Sequence, residues 1–280
     1  MKKAVSMILI LLSVFLLLCS CDAQEMLSGN LSIKYKIEDG KAIVTKLPDN
    51  STLPEIVIPD EYEGLPVTEI ADYAGVNLEY VTKITIGKNV EEIALWAFEN
   101  AGKLTAFEVS EENELFCDKD GVLYTKDMKT LLFYPLSRDV KSVKDENGNE
   151  VKSISYEVPE GVETIRTKAF YKCSMLSEIT LPSTLKTIEE KAFFRCSIGE
   201  ITLPEELTFI GKDAFGYCQQ LKEITIPATV KEIGEYAFYN CTSLLNITVN
   251  SIESEMTLGK QWYPTNNGLD IKELVINWNA

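Results

Sequence analysis

A 23-residue period constrains this chain more than any other feature. Ile233-Gly234-Glu235-Tyr236-Ala237-Phe238-Tyr239-Asn240-Cys241 repeats Ile210-Gly211-Lys212-Asp213-Ala214-Phe215-Gly216-Tyr217-Cys218 at its Ile, Gly, Ala, Phe and Cys positions. The opening isoleucines are Ile70, Ile93, Ile165, Ile188, Ile210 and Ile233, at intervals of 23, 72, 23, 22 and 23 residues. A unit this short cannot bury an apolar face alone, so the units must stack, each coil covering the next. The 72-residue interval reads as one unit carrying an insertion, and the 22 as one residue missing near Ser197-Ile198.

The recurring columns have physical meanings. Ala97-Phe98, Ala169-Phe170, Ala192-Phe193, Ala214-Phe215 and Ala237-Phe238 share one column, with Ala74-Gly75 in the first unit. Three residues after each Phe stands Ala101, Cys173, Cys196, Cys218 or Cys241. The second half of a unit reads Leu-x-x-Ile-x-Leu/Ile-Pro, as in Leu176 to Pro182 and Leu221 to Pro227. Residues two apart in a strand share a face, so Ile179 and Leu181 point inward while Glu178 and Thr180 point out. Pro182, Pro204 and Pro227 lack an N–H and end the strand at the same place in each coil. The Ala-Phe segment is predicted as a short helical or 3₁₀ turn in which Phe fills the space between coils. The predicted fold class is a β-rich repeat solenoid with short parallel strands.

These units resemble the BspA-like, or treponemal-type, class of leucine-rich repeats. The resemblance rests on IGxxAFxxCxxLxxIxLP and covers Ile56 to about Val249 apart from the insertion. It implies a right-handed, curved leucine-rich-repeat array of the kind found on bacterial and protist surfaces, with a role in adhesion to host matrix proteins and cells. It brings no catalytic residues. Gly75 in place of Phe, Ala101 in place of Cys and the insertion depart from the pattern.

The flanks give the domain organisation. Residues 1–21 carry Lys2 and Lys3, an apolar run from Ala4 to Leu18, and Leu18-Cys19-Ser20-Cys21. The run is short for a spanning helix and suits an export signal. The four residues that follow it resemble a bacterial lipobox. That resemblance implies cleavage before Cys21, thioether-linked lipid on its sulfur, and a protein held on the cell membrane or outer membrane, outside the cytoplasm. Residues 22–30 are polar and read as a tether. The region 31–69 is predicted as an N-terminal cap: a hairpin turning at Asp39-Gly40, then a first strand at Ile56 to Ile58. The repeats occupy 70–249, interrupted by a β-meander insertion over 110–158 whose second hairpin, 138–153, turns at Asn147-Gly148 and reads as a solvated excursion. Residues 250–280 form a C-terminal cap, with a last degenerate strand in Ile271 to Ile276.

Composition removes several chemistries. There is no histidine, which excludes Ser/His/Asp and Cys/His catalysis and imidazole zinc sites. The net charge of −16 repels phosphate backbones, so no nucleic acid partner is expected. Equivalent thiols in stacked coils form a line instead of a tetrahedron, so Cys173, Cys196, Cys218 and Cys241 are expected to be buried free thiols and not a zinc centre. Asp118-Lys119-Asp120-Gly121 lacks the later ligands of a calcium loop and reads as a turn. Trp262, Tyr263 and Trp278 read as an apolar cap, with sugar stacking as the alternative. No cofactor, metal or catalytic residue is expected.

The outward strand positions give the candidate ligand face: Glu178, Glu200 and Glu223, flanked by Thr180, Thr202 and Thr225 and continued by Asn246 and Thr248. The reading is a monomeric, non-enzymatic binding module for a protein or glycoprotein on a host matrix or cell surface. Two alternatives stay open: a structural protein that associates with its own kind, and, more remotely, a carboxylate-dependent glycan hydrolase.

Overall fold

The computed structural model describes residues 32–49, 53–145, 147–266, 269–270 and 273–279. The leader with Cys21, the tether, Leu31, Asn267, Gly268, Ile271 and Lys272 lie outside the described residues. The chain winds as a β-solenoid in which each coil has a back strand at the opening isoleucine, a turn segment at Ala-Phe, and a front strand at Leu-x-x-Ile-x-Leu.

Back strands pair in parallel, from Thr130–Phe133 through Thr164–Ile165, Thr187–Ile188, Phe209–Ile210 and Glu232–Ile233 to Thr257–Leu258. The opening isoleucines stay in register, Ile188 facing Ile210 and Ile210 facing Ile233. Upstream, Lys41–Lys46, Leu65–Ile70 and Glu92–Ile93 form a separate parallel ladder of the same kind. The predicted hairpin covers its first edge: Lys34–Glu38 pairs antiparallel with Lys41–Lys46, and Asp39 and Gly40 carry the left-handed φ of such a turn, +49° and +74°.

The Ala-Phe segment is not a helical turn. Its amide groups alternate in direction. Ala169, Tyr171 and Cys173 donate back to the carbonyls of Arg166, Lys168 and Phe170, whereas Lys168, Phe170 and Lys172 donate to Glu190, Ala192 and Phe194 of the next coil. A helix would direct every N–H within its own coil. Alternation requires left-handed residues, and Lys168, Lys172, Lys191 and Arg195 sit at φ of +63°, +61°, +55° and +62°. Each costs on the order of 1 kcal/mol, which the hydrogen bonds to the next coil offset. Among the described residues, 3₁₀ helix occurs at Glu253–Glu255.

The core is the stacked interior. Phe170, Phe193, Phe215 and Phe238 are 0% exposed and stack at centroid distances of 5.1, 5.3 and 5.4 Å. Tyr134 extends the column upstream at 4.9 Å from Phe170, and Trp262 closes it downstream, edge-on to Phe238 at 6.4 Å. The four cysteines are free and buried. The thiols of Cys196, Cys218 and Cys241 donate to the carbonyls of Phe170, Phe193 and Phe215 in the preceding coil, at 3.2, 3.1 and 3.0 Å. Burial pushes the Cys173 and Cys218 thiols up to about 12.

The 72-residue interval holds a whole additional coil and not one unit with an excursion. Leu131 faces Ile165 in the back ladder, Tyr134 donates to the Ala169 carbonyl as a repeat Phe would, and Tyr156 faces Ile179 in the front ladder. Periodicity hid this coil because two hairpins lengthen it on both sides of Leu131. The first hairpin, Val122–Thr125 with Thr130–Phe133, divides the interior. Leu123, Leu132 and Phe133 belong to the upstream core and Val122, Tyr124, Leu131 and Tyr134 to the downstream core. The second hairpin is solvated at its tip, where Lys141–Lys144 is exposed throughout, but its return strand Glu150–Glu157 enters the ladder with Ile154 at 0% exposure. Asp118-Lys119-Asp120-Gly121 is a turn that covers the edge of the upstream front sheet: Phe107 N–H donates to the Gly121 carbonyl and Val109 N–H to Asp118 Oδ1, both at 2.8 Å.

Candidate ligand face

Alternation within each front strand decides what faces solvent. In Glu223–Ile226 the inward Ile224 and Ile226 are 3% and 0% exposed, while Glu223 and Thr225 are exposed. Parallel pairing then lines equivalent residues into columns: Glu223 faces Asn246 and Thr225 faces Thr248. Ser155 faces Glu178, Glu157 faces Thr180, and a bridge joins Glu178 to Glu200. Pairing therefore aligns Glu178 with Glu200, Glu223 with Asn246 and Thr225 with Thr248. No ladder joins Glu200 to Glu223 or Thr202 to either neighbour, and Thr180 and Thr202 are outward residues of the same front segments. All are exposed except Thr248, which is half-buried. Ser155 and Glu157 extend the pairing upstream. Their register depends on the hidden coil, so sequence reasoning missed them.

Charge along the front is uneven. On the upstream sheet Lys83 lies 3.4 and 3.0 Å, at Nζ, from the carboxylates of Glu55 and Glu108 on its two flanking strands, so a lysine neutralises both. Its hydrogen bond to Glu108 raises the lysine pKa and lowers that of Glu108. On the downstream sheet none of the ion pairs among the described residues engages Glu178, Glu200 or Glu223. Glu178 and Glu200 are bridged neighbours, at an interstrand spacing of about 4.8 Å, with no ion-paired cation between them.

A groove of about 1030 Å³ runs along this face, bordered by Glu160, Glu200, Glu205 and Glu206, with Lys186 as its cation. Lys186 is already paired: Glu163 accepts from both Lys186 and Lys129 at 2.9 Å, and these two bonds hold its carboxyl below the ordinary range. Glu160 receives the Ser183 N–H and hydroxyl, both at 3.0 Å. Glu200, Glu205 and Glu206 keep their carboxylates for solvent or a partner. Trp262 is buried and Tyr263 and Trp278 half-buried, so these aromatics are assembled as an end cap.

Stacked coils, parallel ladders on both faces and an interior of Ile, Leu, Phe and Cys columns define a leucine-rich-repeat β-solenoid. A family model for the BspA-type leucine-rich repeat region matches in six copies over residues 42–121 and 147–263, and the chain belongs to that family. Among solved structures it is similar to the pneumococcal vaccine antigen PcpA, at 25% identity and a TM-score of 0.51 over 72% of this chain. The match spans 58% of the PcpA chain. A leucine-rich repeat protein from Eubacterium ventriosum has the same fold at 16% identity and a TM-score of 0.52, with 88% of this chain and 95% of that one covered. A leucine-rich cell-surface protein from Faecalibacterium prausnitzii is 29% identical over 73% of this chain and 62% of that one, with a TM-score of 0.45. No curated protein matches the chain.

Proposed function

We propose that this is an exported lipoprotein, anchored through Cys21, whose downstream front face binds a protein or glycoprotein. The outward carboxylates of Glu178, Glu200 and Glu223, none of them held in an ion pair among the described residues, carry this reading, because a basic partner would relieve the mutual repulsion that the free face leaves uncompensated. Recognition on such a face is multi-point and largely preformed, since each outward residue is held by a ladder and a packed interior. Family membership supports the binding role, and the chemistry of the face favours a basic partner surface. The direct experiment is capture from host matrix and cell-surface extracts by residues 22–280, compared with a variant carrying Glu178→Gln, Glu200→Gln and Glu223→Gln. Lipid on Cys21 is tested separately by metabolic labelling with a fatty acid, which Cys21→Ser abolishes.

One observation favours a second reading, end-to-end association. Val57 and Val275, on the first and last front strands, are 63% and 47% exposed. Sedimentation of residues 22–280 separates the readings, because a binding module stays monomeric where a self-associating one lengthens with concentration.

A further inference from the structure

The downstream front ladder, from Glu150–Glu157 to Val275–Trp278, breaks at one coil, and that coil is one residue short. From the buried cysteine to the strand-ending proline the chain advances nine positions from Cys173 to Pro182 and from Cys218 to Pro227, but eight from Cys196 to Pro204. Cys196 and Ile210 are held in the interior columns, and Ile198 takes the buried place of Leu176 and Leu221. The missing residue therefore lies between Cys196 and Ile198 and shortens the turn into the front segment by about 3.3 Å of extended chain. Ile198 to Pro204 keeps the six-residue step of Leu176 to Pro182 and Leu221 to Pro227. The front segment meets its neighbours at its start: Gly199 N–H donates to the Ser177 carbonyl, Lys222 N–H to the Gly199 carbonyl, and Glu178 bridges Glu200. Beyond that point it departs from both. The neighbouring coils pair four residues in register, Glu223 to Ile226 with Asn246 to Val249, whereas Ile201, Thr202 and Leu203 make no ladder.

The departure opens the face on both sides of this segment. One groove of about 1030 Å³ separates it from Ile179 to Thr184, and another of about 350 Å³ separates it from Glu223 to Pro227. Apolar residues at the wider gap are less covered than elsewhere: Ile179 is 8% and Ile201 9% exposed and Leu181 is half-buried, against 3% for Ile224 and 0% for Ile226, Ile247 and Val249.

We infer that this gap is a docking slot for one extended, lysine- or arginine-bearing peptide segment, which completes the broken ladder. The inference rests on the ligand-face reading above and specifies its partner. A peptide fits because strand edges offer N–H and C=O groups at a two-residue period, the pattern used when a strand is added to a sheet. A basic segment fits because Glu200, Glu205 and Glu206 border the slot and its one cation, Lys186, is bound to Glu163. Alternate side chains of the segment then lie over Leu181 and Ile201, and the others reach the carboxylates.

The test uses a capped hexapeptide of alternating lysine and valine, the same peptide N-methylated at alternate amides, and a glutamate-valine counterpart, each titrated into residues 22–280. The lysine peptide binds saturably, the N-methylated peptide at least tenfold more weakly because two or more main-chain bonds are lost, and the glutamate peptide not at all. Hydrogen exchange at Ile201 to Leu203 is fast in the free protein and slows on binding. Inserting Met between Ser197 and Ile198 restores the 23-residue coil, closes the ladder and weakens the lysine peptide by tenfold or more. If the lysine peptide fails to bind, or these amides are already protected in the free protein, the slot is refuted. Equal binding of the N-methylated peptide, which needs no variant to fold, refutes the slot but leaves an acidic face. Binding of the glutamate peptide as strongly as the lysine peptide refutes both.

Discussion

Cys218 donates its thiol to the carbonyl of Phe193, one coil upstream, at 3.1 Å. That carbonyl also receives the Cys196 N–H of its own coil, so the cysteine column gives the carbonyls of Phe170, Phe193 and Phe215 a second donor. A small apolar residue with one weak donor fits this place.

Thiol reactivity checks the assignment. In native Asp22 to Ala280, a thiol reagent is expected to label the half-exposed Cys117 and to reach Cys173, Cys196, Cys218 and Cys241 only on unfolding. Their raised pKa values act in the same direction. Cys218→Ala is expected to cost about 1–2 kcal/mol in urea unfolding, from a lost bond and a small void.

Glycine spacing gives a second prediction. A Cβ on Gly234 would lie 2.4 Å from Lys212 N and 2.6 Å from Gly211 C, so backbone of the preceding coil would have to move. Gly234→Ala is expected to cost about 1–3 kcal/mol. Gly199→Ala, where nothing lies within 4 Å, is expected to stay within about 0.5 kcal/mol. Denaturant midpoints of the two variants decide the matter.

The dividing hairpin gives a third. Leu123 is 0% exposed and packs with the upstream core, so Leu123→Ala is expected to cost about 2–5 kcal/mol. Val143→Thr, on the exposed strand of the second hairpin, is expected to change stability by less than about 0.5 kcal/mol. Thermal unfolding of the pair distinguishes a structural partition from a solvated loop.

Residues that recur made most of this fold legible, because each column of Ile, Ala, Phe, Cys or Leu has one structural duty in every coil. The outward placement of Glu178, Glu223 and Asn246 followed from strand alternation. What escaped depends on departures from the period. The coil built from Leu131, Tyr134 and Tyr156 has none of the recurring letters, and only pairing identifies it. The Ala-Phe segment looks helical by its i to i−3 spacing, and the left-handed φ of residues such as Lys168 has no sequence signal when the residue is not glycine. The missing residue near Ile198 was visible as a count, but its effect, a front strand drawn away from two neighbours, depends on which columns the core holds fixed.

The acidic face itself has a stability consequence. Replacing Glu178, Glu200 and Glu223 with Gln is expected to raise stability by about 0.5 kcal/mol at low ionic strength, a gain that fades as salt screens the carboxylates. Lys83→Gln is expected to do the reverse upstream, where the lysine separates Glu55 from Glu108.

The same triple variant tests the binding role most directly. Residues 22–280 and the Gln variant are compared, over a range of salt concentrations, for the proteins each retains from host matrix and cell-surface extracts. The account predicts proteins retained at physiological salt by the native chain, released as salt rises, and lost from the variant. Retention of the same proteins by both chains, with the same salt dependence, would contradict it.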